Sequence, residues 1–388
     1  MHRHKTLMIP GPTEVADAVL QRMALPVEPH YGEAFVRLYF SIESKLQKVF
    51  QTRNDIYTLA ATSSAAMEAG INAGTEPGDE VLVCHNGFFG NRFAEMVAGA
   101  GGRAVLVRAE LGKPIRPADV EAALRKHPGI RFMALVHNET STGVENPVRD
   151  IMKVAQKRKV LTLVDSVSAL GGVDLPVDEL GIDFCVSGSQ KCLESPAGLS
   201  FISVSERAWR FMQARKTPIF GWYLNLLTLR RYRQEWAKWH PQGPNTAPVS
   251  LYMALDAALD GILAEGLKAR FARHARAARA VRSAVRAVGI KPFVPDGCAS
   301  RTLTALKMPK GVDGMELRKR MAADHQILLA GGVGGDESIV RISHMGLTAS
   351  VEFQAPTMAA LERCLALQGM KVAPGRAVRK FEEVFRAE

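Results

Sequence analysis

Between residues 55 and 202 the chain alternates short β-rich apolar runs with helix-like stretches. The runs are Ile56 to Leu59, Glu80 to Cys84, Ala104 to Val107, Phe132 to Val136, Val160 to Val164, Phe184 to Val186 and Leu199 to Ile202. Several are apolar throughout, as strands must be when both faces of a sheet are covered. Ala118 to Lys126 and Asp150 to Lys159 lie between runs and have helical character. This alternation predicts an α/β domain built on a mostly parallel seven-stranded sheet.

The pattern breaks over residues 215 to 250, which are rich in aromatic residues and Arg, contain Pro241-Gln242-Gly243-Pro244, and read as an irregular excursion. A basic helical segment follows, then strand-like runs at Thr302 to Met308 and Ser338 to Ser343. With 388 residues the chain can hold two domains. The expected division is an N-terminal arm over 1–20, a large domain over 21–262 and a smaller C-terminal α+β domain over 263–388.

Charge raises the question of nucleic acid, because 50 basic residues face 39 acidic ones. Much of the excess is Arg270, Arg273, Arg276, Arg279, Arg282 and Arg286, interleaved with Leu263, Leu267, Phe271, Ala278, Val281 and Val285 at helical spacing. That predicts an amphipathic helix with a packed apolar stripe and solvated arginines. No aromatic residues alternate with the basic ones and no nucleic-acid motif occurs, so a nucleic-acid partner is not expected. No apolar run is long enough to cross a bilayer. Pro10-Gly11-Pro12 interrupts the region after the basic N-terminus, and Phe385-Arg386-Ala387-Glu388 carries no targeting tripeptide, so a cytoplasmic location is expected. The five cysteines (84, 185, 192, 298 and 364) form no C-x-x-C pair and read as reduced packing residues, with no metal site expected. Cys192 follows Lys191 directly, and for it too a packing role is the simpler reading.

The chemistry centres on Lys191, which closes Ser187-Gly188-Ser189-Gln190-Lys191 and lies 26 residues after Asp165. An acid at one strand end and a lysine at the exit of the next suit pyridoxal phosphate (PLP). The amine condenses with the cofactor aldehyde, and the carboxylate keeps the pyridine nitrogen protonated. Thr62 to Ala69 follows a strand and opens a helix, where exposed N–H groups suit a phosphate; plain N-capping by Ser64 and Glu68 is the competing reading. Phe89, between Gly87 and Gly90 at a strand exit, can lie against a planar ring or pack in the core. Asn138-Glu139-Thr140-Ser141-Thr142-Gly143 ends another strand with hydroxyls. All these ends fall on the edge where parallel α/β sheets bind ligands. Arg341, inside the β-branched run Ile339 to Ser343, calls for a partner: a substrate carboxylate or an internal ion pair. His344 is read as structural.

These segments together resemble class V aminotransferases of PLP fold type I, in the alanine–glyoxylate, serine–glyoxylate and serine–pyruvate branch. The likeness runs from Ile9-Pro10-Gly11-Pro12-Thr13 to the Arg341 segment. It is sharpest in His137 to Val144, Val164-Asp165-Ser166-Val167-Ser168 and Val186 to Lys191. The resemblance implies that Lys191 is the Schiff-base lysine and Asp165 the partner of the pyridine nitrogen. Phe89 and Val167 would pack on opposite ring faces, and Thr140 would bond the phenolic oxygen. Ser63, Ser64 and Gln190 would hold the phosphate with Thr246 of a neighbouring subunit. Arg341 would bind the substrate carboxylate, with Gly11 close to the substrate. It also implies a homodimer with active sites at its interface. Ser63 and Ala65 stand where relatives carry glycines, and Gly243 where they often carry tyrosine.

The expected activity is a ping-pong transamination between a small amino acid, alanine or serine, and glyoxylate or pyruvate. The altered phosphate loop keeps a pyridoxamine–pyruvate aminotransferase as an alternative. A PLP-dependent lyase or desulfurase of the same fold would want a mobile catalytic cysteine, and none is evident. A NAD-binding reading fails because no G-x-G-x-x-G follows the first strand.

Overall fold

The computed structural model describes residues 5–332 and 338–387. All seven apolar runs become strands of one sheet: β1 (Asp55–Leu59), β2 (Glu80–His85), β3 (Arg103–Arg108), β4 (Phe132–Val136), β5 (Leu161–Asp165), β6 (Phe184–Gly188) and β7 (Ser200–Val204). Their order is β1-β7-β6-β5-β4-β2-β3, and only β7 runs antiparallel to its neighbours. The carboxyl ends of β1, β2, β4, β5 and β6 therefore share one edge.

Side chains alternate between two cores as a pleated strand requires. In β4, Met133 and Leu135 enter one core with Phe35, Leu46, Ile151 and Leu255, while Phe132, Ala134 and Val136 enter the other with Ala66, Phe93 and Trp209. Helices thus cover both faces, which explains the unbroken apolarity of the central strands.

The excursion after residue 215 is more regular than its composition predicts, because it contains the helix Leu226–Trp236. The Asn225 side chain caps it, accepting from Leu227 N at 3.1 Å and Thr228 N at 3.2 Å. Leu226 and Leu229 are buried, and Arg230 stacks over Trp209, so aromatic and guanidinium surfaces complete the apolar side.

In the C-terminal part, β8 (Lys291–Pro292), β9 (Leu303–Lys307), β10 (Ala330–Gly331) and β11 (Ile339–Ser343) form an antiparallel sheet ordered β8-β9-β11-β10. The helices Leu267–Ala287, Gly314–Asp324, Val351–Leu367 and Arg376–Arg386 pack with this sheet around a third core. The N-terminal arm joins it: Thr6–Leu7 pairs with Ile327–Leu328, Met8 O accepts from Ser343 N at 2.8 Å, and the Met8 side chain is buried in that core.

The basic helix departs from expectation. Its arginines are not a solvated face, since Arg270 and Arg282 are buried and only Arg279 and Arg286 are exposed. Arg270 spends its donors on Gly171 O, Cys192 O and the carboxylates of Glu194 and Glu265. Stepwise spacing reveals which residues share a face, but not that the loop at Glu194 and the preceding helix end at Glu265 supply carboxylates for them. Among the described residues, no helix is long and apolar enough to cross a membrane.

Candidate active site

At the common edge of the sheet lies a cavity of about 240 Å³. It is lined by Ser63 and Ser64 after β1, Phe89 and Arg92 after β2, Thr140 after β4, Asp165 and Val167 at the end of β5, and Gln190 and Lys191 after β6. Eight of the nine residues expected to hold a cofactor meet here. The ninth, Thr246, is exposed and lies instead beside Tyr223, Asn245 and Tyr252, away from this cavity.

Lys191 is held from the N-terminal side. Its Nζ donates to Pro10 O, its carbonyl accepts from Thr13 Oγ1 at 2.9 Å, and the Gln190 carbonyl accepts from Thr13 N at 3.2 Å. From the other side, Arg270 NH2 donates to Cys192 O at 2.7 Å. Burial, and then the charge of Arg341, push the Lys191 amine down to about 8. Cys192 itself is fully buried and its thiol is pushed up to about 12, mainly by burial, which suits packing rather than reactivity.

Asp165 is a buried carboxylate whose Oδ1 accepts from Val167 N at 2.8 Å. Burial raises it to about 7, against the pull of that amide, with Glu139 adding to the rise and Lys191 opposing it. A carboxylate so placed is completed by a cationic N–H donor in the cavity.

The opposite end suits an anion. The helix Ser63–Gly74 has no side-chain cap at Thr62, so the capping reading of Ser64 and Glu68 does not hold, and its first residues, Thr62 to Ser64, line the cavity. Ser63 Oγ accepts from Gln190 Nε2 at 3.1 Å, while the second amide atom of Gln190, Oε1, is buried with no hydrogen-bond partner. Arg92 NH1 donates to Ser64 Oγ at 3.2 Å. A cationic-donor seat at Asp165, an anion seat 12-residue-helix end on, and an amine at Lys191 match the three polar features of PLP.

Two contributors were not singled out by spacing. Arg92 sits one turn after Phe89, its guanidinium carbon 5.0 Å from the Phe89 ring and 4.8 Å from the Phe88 ring. The i, i+3 relation was the available signal. Glu139 is fully buried, and its carboxylate accepts from Phe89 N and Gly90 N at 3.1 Å and from Ser141 N at 3.0 Å, fixing the start of the helix Phe88–Gly99. Thr140 Oγ1 donates to Ser168 Oγ at 2.8 Å, which donates on to Asn138 O at 2.8 Å. Arg341 does not line the cavity; it donates to Gly331 O at 2.8 Å and to Thr140 O at 2.7 Å, bracing the same loop. His344 is buried against Thr304 Oγ1 and Arg301 O, a structural role as expected.

The family profile described as Aminotransferase class-V matches residues 12–347. The chain belongs to the class V aminotransferases. An uncharacterized aminotransferase of Methanocaldococcus jannaschii is 40% identical over 95% of this chain and 94% of its own length. The crystal structure of ureidoglycine–glyoxylate aminotransferase from Bacillus subtilis superposes with a TM-score of 0.93 at 30% identity, covering 99% of each chain. That of alanine–glyoxylate aminotransferase from Nostoc sp. gives 0.90 at 34% identity, covering 94% of this chain and 96% of its own. As a class V aminotransferase the protein is a PLP-dependent enzyme acting on amino and keto acids.

Proposed function

We propose that this aminotransferase moves the amino group of alanine or serine to glyoxylate or pyruvate by a ping-pong mechanism, as a cytoplasmic homodimer. The observation that carries the reading is the meeting of Lys191, Asp165 and the Ser63–Ser64 helix start in one small cavity. Two relatives of high structural similarity bear glyoxylate in their names, which supports it as acceptor.

When bound, PLP supplies an electrophilic carbon for the donor amine and a ring that accepts electrons from its α-carbon. The residues divide the remaining work. Lys191 anchors the cofactor covalently and, once released, its Nζ takes the α-proton as general base. An amine near 8 is neutral in a useful fraction of molecules at physiological pH. Asp165 holds a proton on the ring nitrogen by staying ionised beside it. Phe89 and Val167 would hold the ring between them, and the Thr140 hydroxyl would be available to its phenolic oxygen. Ser63, Ser64, Gln190 and the Arg92 guanidinium seat the phosphate, joined by Thr246 of the neighbouring subunit. Arg341, held outside the cavity by Gly331 O and Thr140 O, would have to turn from those carbonyls to grip the substrate carboxylate, which would lie beside Gly11 and Lys191.

One observation keeps a second reading, pyridoxamine–pyruvate transamination. The Ser63 side chain fills space at the phosphate end, where a Cβ on Gly188 would already collide with its hydroxyl. Arg92 next to Ser64 weighs against it, because a cation there favours a phosphorylated cofactor. The purified enzyme's visible absorbance decides. Bleaching by alanine or serine and recovery with glyoxylate or pyruvate supports the proposal and ranks the substrates. Loss of pyridoxal from the protein during turnover supports the second reading, and absence of bleaching by either donor refutes the first.

A further inference from the structure

Asp165 and Lys191 stand at the starts of two loops that leave the paired strands β5 and β6. The loops touch. Gly171 has φ +82°, and a Cβ there would lie 3.0 Å from Leu193 Cδ2 and 3.5 Å from Cys192 O, so the Asp165 loop passes the Lys191 loop at close range. Each loop is also closed on itself, because Leu170 N donates to Ser166 O at 2.8 Å and Glu194 N donates to Lys191 O at 3.0 Å. Movement at Gly171 is therefore felt beside Asp165, and movement at Glu194 is felt at Lys191.

Arg270, in the first turn of the helix Leu267–Ala287, is buried across both loops. Its Nε donates to Gly171 O at 2.8 Å, and its NH2 donates to Cys192 O at 2.7 Å and to Glu194 Oε1 at 2.6 Å. Glu194 has φ +54°, a conformation that residues other than glycine keep only where the surroundings hold them in it. The guanidinium is one such hold, and Gly346 is another, since a Cβ there would collide with Glu194 Cγ. Glu265 takes Arg270 NH1 at 2.7 Å and Arg273 Nε at 2.6 Å, so two guanidiniums meet two carboxylates and the cluster is balanced in itself.

We propose that Arg270 is a positioning residue of the transamination, and that its planar fork sets Lys191 against Asp165 by holding one carbonyl from each of their loops. A guanidinium carries donors on three nitrogens in a fixed plane and reaches both carbonyls and both carboxylates together, whereas an ammonium is a single point that cannot span them. Arg270 does not line the cavity, so it acts through the loops and not on the substrate. The inference rests on the assignment of Lys191 as the residue that carries the cofactor.

Comparing Arg270→Lys with Arg273→Lys tests this, because Arg273 shares the cluster but donates to Glu265, Gly346 O and Ala349 O and to neither loop. PLP attachment to each apoprotein is followed by absorbance well below its melting temperature, beside steady-state kinetics of the loaded enzyme. Arg270→Lys should slow attachment and lower kcat by about tenfold or more, with the donor KM changed by less than about twofold. Arg273→Lys should attach PLP at close to the wild-type rate even if it melts as early. Glu194→Gln, which weakens one arm of the fork, should also slow attachment and carries the test if Arg270→Lys does not fold. Wild-type attachment in Arg270→Lys, or in Glu194→Gln where the lysine variant does not fold, overturns the proposal, as does equal slowing in the two lysine variants. Borohydride labelling of the wild type separates the two questions: no label on Lys191 removes the assignment beneath the proposal, whereas a label there with unchanged attachment in the variants removes Arg270 alone.

Discussion

Gly11 is pressed against Lys191. With φ at +112°, a Cβ at position 11 would overlap Nζ and lie 2.6 Å from both Cδ and Cε of the lysine. The glycine is thus required twice, by its backbone angle and by the side chain it faces. Gly11→Ala should displace the amine, slowing PLP attachment and lowering turnover by about a hundredfold or more, with backbone strain of at least ~1 kcal/mol. Attachment followed by absorbance, beside thermal melting of the apoprotein, checks both effects; wild-type attachment rates would show that Lys191 tolerates the intrusion.

Asp165 gives the apoprotein a pH dependence with a definite sign. Its ordinary value is 3.8 and its folded value about 7, so between these the folded chain holds a proton that the unfolded chain has lost. Stability of the apoprotein therefore falls as pH rises through that window, and the cost is fully present above 7. Asp165→Asn removes it. At pH 8 the variant apoprotein should be more stable than wild type, by roughly 1 kcal/mol or more, while turnover drops by orders of magnitude. Denaturant melts of both apoproteins at pH 5 and pH 8 separate the two consequences, and an equal difference at both pH values would contradict the burial argument.

Arg341 sets the basicity of Lys191 after burial has done most of the lowering. In the apoprotein, PLP attachment should accelerate as pH rises through about 8, where the amine becomes neutral. Arg341→Gln should move that midpoint upward and Arg341→Lys should leave it nearly in place. An unchanged midpoint in the glutamine variant would remove Arg341 from this role.

Glu139 tethers the start of the helix Phe88–Gly99. Glu139→Gln keeps the shape but turns an NH2 group toward backbone N–H donors, leaving buried donors unpaired at a cost of about 1–3 kcal/mol. Melting temperature should fall and PLP should bind more weakly, because the helix that carries Phe89 loses its anchor. Unaltered cofactor affinity in a destabilised variant would confine Glu139 to a structural role.

The large sheet was readable in the sequence because strands covered on both faces must be apolar throughout, as Phe132 to Val136 and Leu161 to Val164 are. The Lys191–Asp165 pair was readable for a related reason: Asp165 ends β5, Lys191 follows the end of β6 by three residues, and parallel strands deliver their ends to one edge. What depends on through-space partners was hidden. Glu139 shows its meaning only when the start of the helix Phe88–Gly99 comes to rest on it, and Arg270 only when the loop after Lys191 supplies the Cys192 carbonyl and Glu194. Helix Leu226–Trp236 was obscured because stacked arginines and aromatics stand in for aliphatic residues.

The central claim is that Lys191 Nζ carries the cofactor. Borohydride reduction of the purified yellow enzyme, followed by proteolysis and mass mapping, should place a reduced pyridoxyl phosphate on the peptide containing Lys191 and on no other, with none retained in Lys191→Ala. A label on a different lysine, or no label at all in a fully active preparation, would contradict it.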